Sequence, residues 1–525
     1  MPGRQRTIVR RHQVDGHRGP DDLGHPRTGL LHEQAAALDD SGPGNAERDS
    51  RVFSQERGPF SHYERRLSRD GDHWEERTEY RLSIPWFGWL FAIPVRRWIA
   101  RRSPERRLWW APPDALDERQ ILVLGLLAAA SMTSAFVNTI FTQTVAFAAD
   151  DFGVGNTGIG VAGSIVRGGI LITIPLAVAA DRIGRRRVIV AVAWAAPLIT
   201  ALGALAPTFN WLVATQAVGR PLGLALDFLI AVVAVEEMPR GSRAYAVAVL
   251  AMASGLGAGI AVGMLPLTDL GDGAWRLVYV VTLVWLVVAV DVARRLPETR
   301  RFAREHTVAP PLDRRRFAAL GVIAVGVNLF VAPASFFQNR YLDEIRDLSG
   351  SSIALFTLTT STPAALGLVV GGQLADRRGR RGLIALTLPV ATAGIWLSFS
   401  VGGSAMWVSA FAGGFLGGIA YPALAVYRAE LFPTGNRGRA AGLLTVLALI
   451  GGIGGLLAAG TLLDSGWDYS AVMGVLTAGQ LVVVIVVWRH LPETARRDLD
   501  ELNPVDQQPR GRNPVDDLSP PPATR

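Results

Sequence analysis

The feature that most constrains this chain is a series of long apolar stretches that fills residues 120–490. A helix needs about 20 predominantly apolar residues to cross a bilayer, because lipid offers no partner to a free backbone group. Glycine and proline recur inside the stretches, which disfavours helix in water but lets helices pack closely and kink in lipid. The sequence therefore predicts an all-α membrane protein with twelve transmembrane helices. The predicted spans are 121–148, 156–180, 188–206, 209–235, 244–267, 274–293, 317–338, 352–375, 383–401, 404–427, 439–463 and 469–488.

The arginines predict how these spans are oriented. They crowd the breaks after the second, fourth, sixth, eighth and tenth spans, whereas only Arg276, Arg340 and Arg346 lie near the opposite ends. Short cytoplasmic loops carry the excess of positive charge in membrane proteins. Both termini are therefore predicted to be cytoplasmic, in a multi-pass protein of the plasma (inner) membrane.

The segments outside the spans differ from one another in composition. The first 82 residues are polar and rich in both charge signs, so we predict disorder there, without a cleavable signal peptide. The next segment sets tryptophans beside arginines, which favours a helix at the membrane interface; a helix packed on the cytosolic face of the bundle is the alternative. The predicted layout is 1–82 disordered cytoplasmic extension, 83–119 amphipathic interfacial segment, 120–294 N-terminal six-helix bundle, 295–316 central loop, 317–490 C-terminal six-helix bundle and 491–525 cytoplasmic tail.

An internal repeat links the two groups of six spans. ADRIGRRR at 180–187 returns as ADRRGRR at 375–381, and LPET at 296–299 returns at 491–494. The segment from Glu236 to Arg243, with the spacing E-x-x-P-x-x-x-R, returns from Glu430 to Arg437. All three motifs recur at an offset of 194 or 195 residues. We infer two homologous six-span halves related by an axis along the membrane normal.

These motifs resemble those of the major facilitator superfamily, and they are most similar to its sugar-porter and organic-solute branches. The resemblance covers about residues 120–500 and implies a secondary transporter that alternates between outward-open and inward-open states. It further implies a cytoplasmic gate in which arginines of the D-R-x-G-R-R loops pair with glutamates when that side is shut. In the alternative interpretation, the arginines only set the topology. The gate residues are Asp181, Gly184, Arg185, Glu236, Arg243, Glu298, Asp376, Gly379, Arg380, Glu430, Arg437 and Glu493.

Three charged residues lie toward the middle of predicted spans: Arg167, Arg220 and Asp227. A charge at mid-bilayer costs at least about 2.5–3.5 kcal/mol, so each one is a candidate functional residue. In one hypothesis an arginine binds an anionic group of the solute and Asp227 carries the coupling proton. In the other, Asp227 and an arginine form a structural ion pair. Uncharged polar residues expected to line the midplane cavity are Asn138, Asn328, Gln338 and Tyr421.

Three functions remain open from the sequence. The first is a proton-coupled symporter of a small polar organic solute, and the second is a proton-driven exporter of drugs or metabolites. Export is less favoured because Pro266 follows Leu265 instead of the glycine typical of such antiporters. The third is a non-transporting sensor or scaffold that uses residues 1–119. An enzyme is not expected, since no nucleotide loop, nucleophile motif or metal cluster is present.

The expected partners follow from the same features. They are a small-molecule solute and the lipid bilayer, with no nucleic acid, and the protein is expected to function as a monomer. No cofactor is expected, because a proton gradient would supply the energy. The chain has no cysteine, which excludes disulfides and thiolate chemistry.

Overall fold

The computed structural model describes residues 6–13, 25–27, 30–35, 50–70, 73–100, 111–112, 114–239, 242–298, 313–432 and 437–494. Most of these residues are helical. Eleven of the described helical segments are long and apolar enough to cross a membrane. A further helix of 29 residues, Gly350–Arg378, occupies the position of the remaining predicted span. The predicted helical membrane fold with two bundles is confirmed, and the count of spans is consistent with twelve.

The N-terminal bundle contains α2 to α9, after a short helix α1 at Gly88–Ile99. Two predicted spans are divided in the structure, because single turns of 3₁₀ helix at Gly169–Ile172 and Thr282–Trp285 interrupt them. Further 3₁₀ turns, Leu202–Leu205 and Leu265–Leu270, follow α5 and α7. The helices are α2 Glu118–Asp151, α3 Asn156–Gly168, α4 Thr173–Ile183, α5 Arg185–Ala201, α6 Phe209–Glu237, α7 Arg243–Gly263, α8 Trp275–Val281 and α9 Leu286–Arg295.

The C-terminal bundle repeats this arrangement with α10 to α16. Side chains cap several of the long helices at their first turn: Asp313 accepts from the backbone of α10, and Ser349 from that of α11. The helices are α10 Arg314–Glu344, α11 Gly350–Arg378, α12 Arg380–Ser398, α13 Gly403–Glu430, α14 Arg437–Asp464, α15 Tyr469–Leu476 and α16 Ala478–His490.

Among the described residues, the two bundles pack against each other at one end. We call the end with the arginine-rich loops the inner end and the opposite one the outer end. Span two shows the difference along a single helix: its outer part, α3, packs against α14 of the other bundle, whereas its inner part, α4, packs on α5 and α6 of its own bundle. Close approach is possible because Gly160 lies against the backbone of Leu456, and Gly460 against that of Asn156. The described bundles are therefore closed at the outer end and apart toward the inner end.

The prediction of disorder for residues 1–82 is wrong for the described part. Five strands form one antiparallel sheet in the order β1-β5-β4-β3-β2. The composition was misleading because charged residues occupy inward positions of the strands: Arg65 and Glu76 are buried, where a sheet of this size usually places aliphatic side chains. The strands are β1 Arg6–Gln13, β2 His32–Ala35, β3 Ser50–Arg57, β4 Phe60–Asp70 and β5 His73–Leu82.

Helix α1 connects this sheet to the bundle. Val95, Trp98 and Ile99 on one face pack with sheet residues such as Phe60 and Tyr80 in a single apolar cluster. The opposite face leaves three large apolar side chains exposed, namely Trp89, Leu90 and Ile93. Just before α1, the Trp86 indole N–H donates to the Asp291 carboxylate near the inner end of α9, at 2.9 Å. The helix therefore packs on the sheet, and it also keeps an exposed apolar face of the kind suited to a membrane interface.

Candidate functional site

The repeated inner motifs build the same structure in both halves. Gly184 and Gly379 have φ of +105° and +99°, a conformation that L side chains rarely adopt, and each separates two consecutive helices. The glutamates of the two LPET motifs cap the helices that begin directly after these glycines, α5 and α12. Glu298 accepts the backbone N–H of Arg186 at 3.1 Å, and Glu493 accepts that of Arg380 at 2.9 Å. These glutamates lie in the same half as the helices they cap, so each motif braces its own bundle.

The arginines of these loops also bind within their own half. Arg185 forms an ion pair with Glu236, as the sequence suggested. The Arg186 guanidinium donates to backbone carbonyls just before Glu298, and Arg380 donates to the Thr494 hydroxyl at 2.8 Å. The Arg243 Nε makes no hydrogen bond among the described residues. The side chains of four predicted gate residues lie outside the described part of the chain: Asp181, Asp376, Glu430 and Arg437.

Replacement of Gly379 by alanine is expected to destabilise the C-terminal bundle. The added Cβ would lie 2.8 Å from the Glu493 carboxylate, and the residue would be held at a positive φ. Strain of this kind costs about 1–3 kcal/mol, which in a bundle of this size lowers the unfolding midpoint by about 3–10 °C. Thermal unfolding of the detergent-purified variant measures the shift.

Gly382→Ala is the matched control, three residues further along in α12. A Cβ there would meet no atom within 4 Å, and alanine favours a helix by about 0.5–1 kcal/mol. An unfolding midpoint of Gly379→Ala equal to that of Gly382→Ala would contradict the role assigned to the positive φ.

Two arginines lie together at the interface of the bundles. Arg167, at the end of α3, points toward α14, where a Cβ on Gly452 would lie 2.9 Å from its Nη1 atom. Arg220 on α6 is close enough for the two positive charges to act on each other. The Nε atoms of both arginines and Nη1 of Arg220 are buried and make no hydrogen bond within the described structure. Two neighbouring cations with free N–H groups have the chemistry to bind an anion.

Asp227 is not the partner of either arginine. Its carboxylate accepts a hydrogen bond from the Ser131 hydroxyl of α2 at 3.3 Å, and Ser254 of α7 also donates to it. The predicted structural pair between Asp227 and an arginine is therefore not formed among the described residues. The Asp227 side chain is exposed, although it lies in the middle of α6. An exposed carboxylate at that depth requires contact with a water-filled space.

The uncharged candidates are placed in different ways. Asn138 on α2 lies against Gly223 of α6, one turn from Arg220, and its Oδ1 atom is buried without a hydrogen bond in the described structure. Asn328 donates to a carbonyl of its own helix α10, and Gln338 donates to Thr357 of α11 at 3.2 Å. Tyr421 is exposed on α13. Asn138 thus lies beside the part of α6 that carries Arg220.

Sequence reasoning missed most of the polar contacts that close the outer end. Asn339 on α10 donates to the side chain and backbone of Gln143 on α2, at 3.0 and 2.7 Å. Arg340 reaches across to Asp150 at 3.5 Å and to the backbone carbonyl of Val154 at 3.1 Å. Asp269 and Asp464, two further carboxylates of this end, lie at the ends of predicted spans and carried no motif that marked them. The only available signal was their spacing of 195 residues, which equals the repeat offset.

Comparisons with known proteins agree with this architecture. Residues 317–515 match the family model of the Major Facilitator Superfamily. No curated protein matches the chain significantly. Solved transporters share its fold: a bacterial homolog of the human lysosomal transporter Spinster, in an inward-facing and unoccupied conformation, is 18% identical, with a TM-score of 0.56 over 70% of this chain and 94% of that one.

Two further structures align over similar lengths. The inward-open xylose transporter XylE from E. coli is 14% identical, with a TM-score of 0.59 over 73% of this chain and 98% of its own. The nucleoside transporter NupG is 10% identical, with a TM-score of 0.61 over 70% of this chain and all of its own, 100%. Identities this low establish the common fold and carry no information on the solute.

The family-model match and the shared fold of two helical bundles indicate a secondary transporter that works by alternating access. The chain is similar to the major facilitator superfamily: the family model matches residues 317–515, and the solved transporters share the fold of both bundles. The resemblance inferred from the repeated motifs is thereby confirmed.

Proposed function

We propose that this transporter is a proton-coupled symporter of a small organic anion. The observation that carries the proposal is a pair of arginines at the interface of the bundles, Arg167 and Arg220, whose buried Nε atoms make no hydrogen bond to any residue that the structure describes. Burying two like charges is unfavourable unless an anion compensates them. A carboxylate suits the planar guanidinium fork, which donates two parallel hydrogen bonds to it. The buried amide of Asn138 lies one turn away and adds a further hydrogen-bonding group.

The solute would reach this pair from the inner end. Because the bundles are apart there and closed at the outer end, the conformation is the one expected of an inward-facing state. We place the inner end, both termini and the N-terminal sheet on the cytoplasmic side of the plasma membrane. The support for this orientation is the concentration of arginines in the inner loops. Alternation between closure at the outer and inner ends would carry the anion across as a monomeric unit.

Asp227 is the residue that couples a proton to the anion. Arg220 and Asp227 are seven residues apart on α6, so about 10 Å of helix separates their charges. At that distance and an effective dielectric constant of 20, the ionised Asp227 carboxylate weakens the attraction of the arginines for an anion by about 1.5 kcal/mol. Protonation of Asp227 removes this effect and so strengthens anion binding about tenfold. Linkage is reciprocal, so a bound anion favours protonation to the same extent, which is the requirement for symport.

A thermal-shift ligand screen on the detergent-purified protein tests the proposal. The probes are small carboxylates, amino acids, neutral sugars and lipophilic cations. A ligand at 100 times its dissociation constant stabilises the folded protein by about 2.7 kcal/mol, which is readily measured. We expect carboxylates to raise the unfolding midpoint of the wild type, and we expect that rise to disappear in Arg167→Gln and Arg220→Gln.

Arg294→Gln provides the control, since Arg294 is an exposed arginine near the inner end of α9. It should keep the full response to carboxylates. A response to neutral sugars that both site variants retain would contradict anion recognition. A response to lipophilic cations alone would overturn the symporter and favour the exporter instead.

A further inference from the structure

Two carboxylates at the outer end each cap a helix that belongs to the other half. Asp269, in the turn after α7, accepts the backbone N–H groups of Gly350 and Ser351 at the start of α11, at 2.6 and 2.9 Å. Asp464, the last residue of α14, accepts those of Asn156 and Thr157 at the start of α3, at 2.9 and 2.7 Å. Each carboxylate therefore binds both of its oxygens to the first turn of a helix across the interface.

The two contacts are copies of each other. Positions 269 and 464 differ by 195 residues, and the capped pairs at 156–157 and 350–351 differ by 194. These offsets equal those of the inner motifs. The fifth span thus caps the eighth, and the eleventh caps the second, around the same pseudo-twofold axis that relates the bundles. A chance surface contact would not recur at the repeat offset with the same donors and acceptors.

The chemistry makes these contacts depend on closure of the outer end. A helix N-terminus carries about half a positive charge and free N–H groups, so a carboxylate held there is stabilised. The donors and acceptors belong to different bundles, so separation of the bundles at the outer end must break all four hydrogen bonds. The inner LPET glutamates differ in this respect, because Glu298 and Glu493 cap helices of their own half and can stay bound in any state.

We propose that Asp269 and Asp464 form an outer latch that holds the transporter closed on that side and sets its balance between inward-facing and outward-facing states. Backbone groups of α3 and α11 donate to both carboxylates, and the Ser351 hydroxyl donates to Asp269 as well, so replacing the two carboxylates removes the acceptors that all these donors share. Close packing supports it: a Cβ on Gly350 would lie 2.2 Å from the Thr268 hydroxyl and 2.7 Å from the carbonyl of Leu265. Arg340 and Asp150 link the halves at the same end, so loss of the latch shifts the balance without separating the bundles completely.

The absence of cysteine from the chain makes a distance measurement direct. Spin labels on Asn210→Cys and Ser404→Cys report the outer end, because these exposed residues lie near the outer ends of α6 and α13. Labels on Ile183→Cys and Gly382→Cys report the inner end. Pulsed electron paramagnetic resonance of the full chain in lipid nanodiscs, without solute, gives the distance distribution of each pair.

In the Asp269→Ala, Asp464→Ala double variant we expect the outer distribution to gain a longer component and the inner one a shorter component. Because two helix caps are lost, we expect the ratio of the closed to the open population at the outer end to change at least about tenfold. The double variant Asp269→Asn, Asp464→Asn keeps the side-chain shape and one acceptor oxygen per residue. It should give an intermediate shift, and it serves as the readout if the alanine variant does not fold.

Asp272→Ala with Asp468→Ala is the matched control. Both residues are exposed, and they lie three and four residues from the latch aspartates. Their replacement should leave both distributions unchanged. The proposed latch is contradicted if the folded double variants keep the wild-type distribution of distances between the outer labels. It is also contradicted if the control variant opens the outer end equally. Because no solute is present, neither result depends on the identity of the transported anion.

Discussion

Asp227→Asn is expected to abolish proton-driven accumulation of solute while leaving solute exchange across the membrane intact. Asparagine reproduces the shape and neutral charge of a protonated aspartate but cannot release a proton. It also keeps an acceptor oxygen for Ser131 and Ser254, so the contacts between α6, α2 and α7 are preserved. The anion site at Arg167 and Arg220 then stays in its high-affinity form, because no carboxylate offsets it.

The measurement uses protein reconstituted in proteoliposomes. Uptake driven by an imposed pH gradient reports coupling, and counterflow at equal pH on both sides reports exchange. We expect the driven uptake to fall at least about 100-fold, since the coupling step requires release of the proton, while counterflow stays within about threefold of the wild type. The probe is the carboxylate that gives the largest thermal shift.

Asp291→Asn is a suitable control for this experiment. Asp291 lies near the inner end of α9 and already pairs with Arg295, so it is not free to carry a proton through the cycle. Its replacement should leave both activities in place. Persistence of pH-driven accumulation in folded Asp227→Asn would contradict the proton-carrying role, and loss of counterflow as well as accumulation would show that Asp227 serves the solute site instead.

Arg65→Met is expected to unfold the N-terminal sheet. Arg65 is buried and donates to both carboxylate oxygens of Glu33, at 3.1 and 2.7 Å, and to Glu76 at 3.4 Å. Its guanidinium also stacks over the Phe53 ring, 4.3 Å from the ring centroid. Methionine would leave two buried glutamates with one arginine fewer between them. Removing one partner of a buried ion pair costs about 3–5 kcal/mol, which is comparable to the whole stability of a domain this small.

The remaining partners of the cluster cannot replace Arg65. Burial lowers the pKa of Arg27, but the groups around it, which include the Glu76 and Glu33 carboxylates, raise it by more, so this arginine stays charged and bound to Glu76. Burial raises the pKa of Tyr63, so its hydroxyl stays neutral and donates a hydrogen bond to Glu33 at 2.6 Å. Arg27 is thus already paired with Glu76. In the variant, the side chain that still donates to Glu33 would be the neutral Tyr63 hydroxyl, which does not compensate the negative charge.

Hydrogen exchange of the full chain measures this effect segment by segment. Backbone amides of β3, β4 and β5 should lose their protection in Arg65→Met, whereas amides of the membrane helices should keep theirs. Arg66→Met is the control, because Arg66 is exposed on the opposite face of β4 and pairs with Glu64 at the surface. Equal protection of the strands in the two variants would contradict the role of the buried cluster.

Most of the arrangement of the membrane helices could be predicted from the sequence. Spans longer than about 20 apolar residues have no alternative to helix in lipid, and the recurrence of LPET and D-R-x-G-R-R at one offset required two equivalent halves. The glycines at 184 and 379 belong to the repeated motif, and both have a positive φ that most other residues rarely adopt. These features depend on local composition and periodicity, which a sequence displays directly.

The sheet and the polar contacts depend on pairing between distant residues. Arg65 on an inward position is unfavourable by itself, and only Glu33 and Glu76 from other strands make its burial stable. The sequence left open an ion pair between Asp227 and an arginine. The packing of α2 and α7 against α6 instead places two serine hydroxyls within hydrogen-bonding distance of its carboxylate. The inner motifs suggested a gate that forms when that side is shut, and the described contacts of Glu298 and Glu493 each stay within one half.

The sequence by itself thus determined the class of fold, the number of halves and the identity of the charged residues within the membrane. Only the tertiary structure decided which of those charges are paired, because pairing depends on the distance between helices that may be hundreds of residues apart. Asp464 and Asn156 are 308 positions apart and meet only when the bundles close. Hydrophobic length and periodicity act locally, whereas hydrogen bonds and ion pairs require atoms to come within about 3 Å of each other.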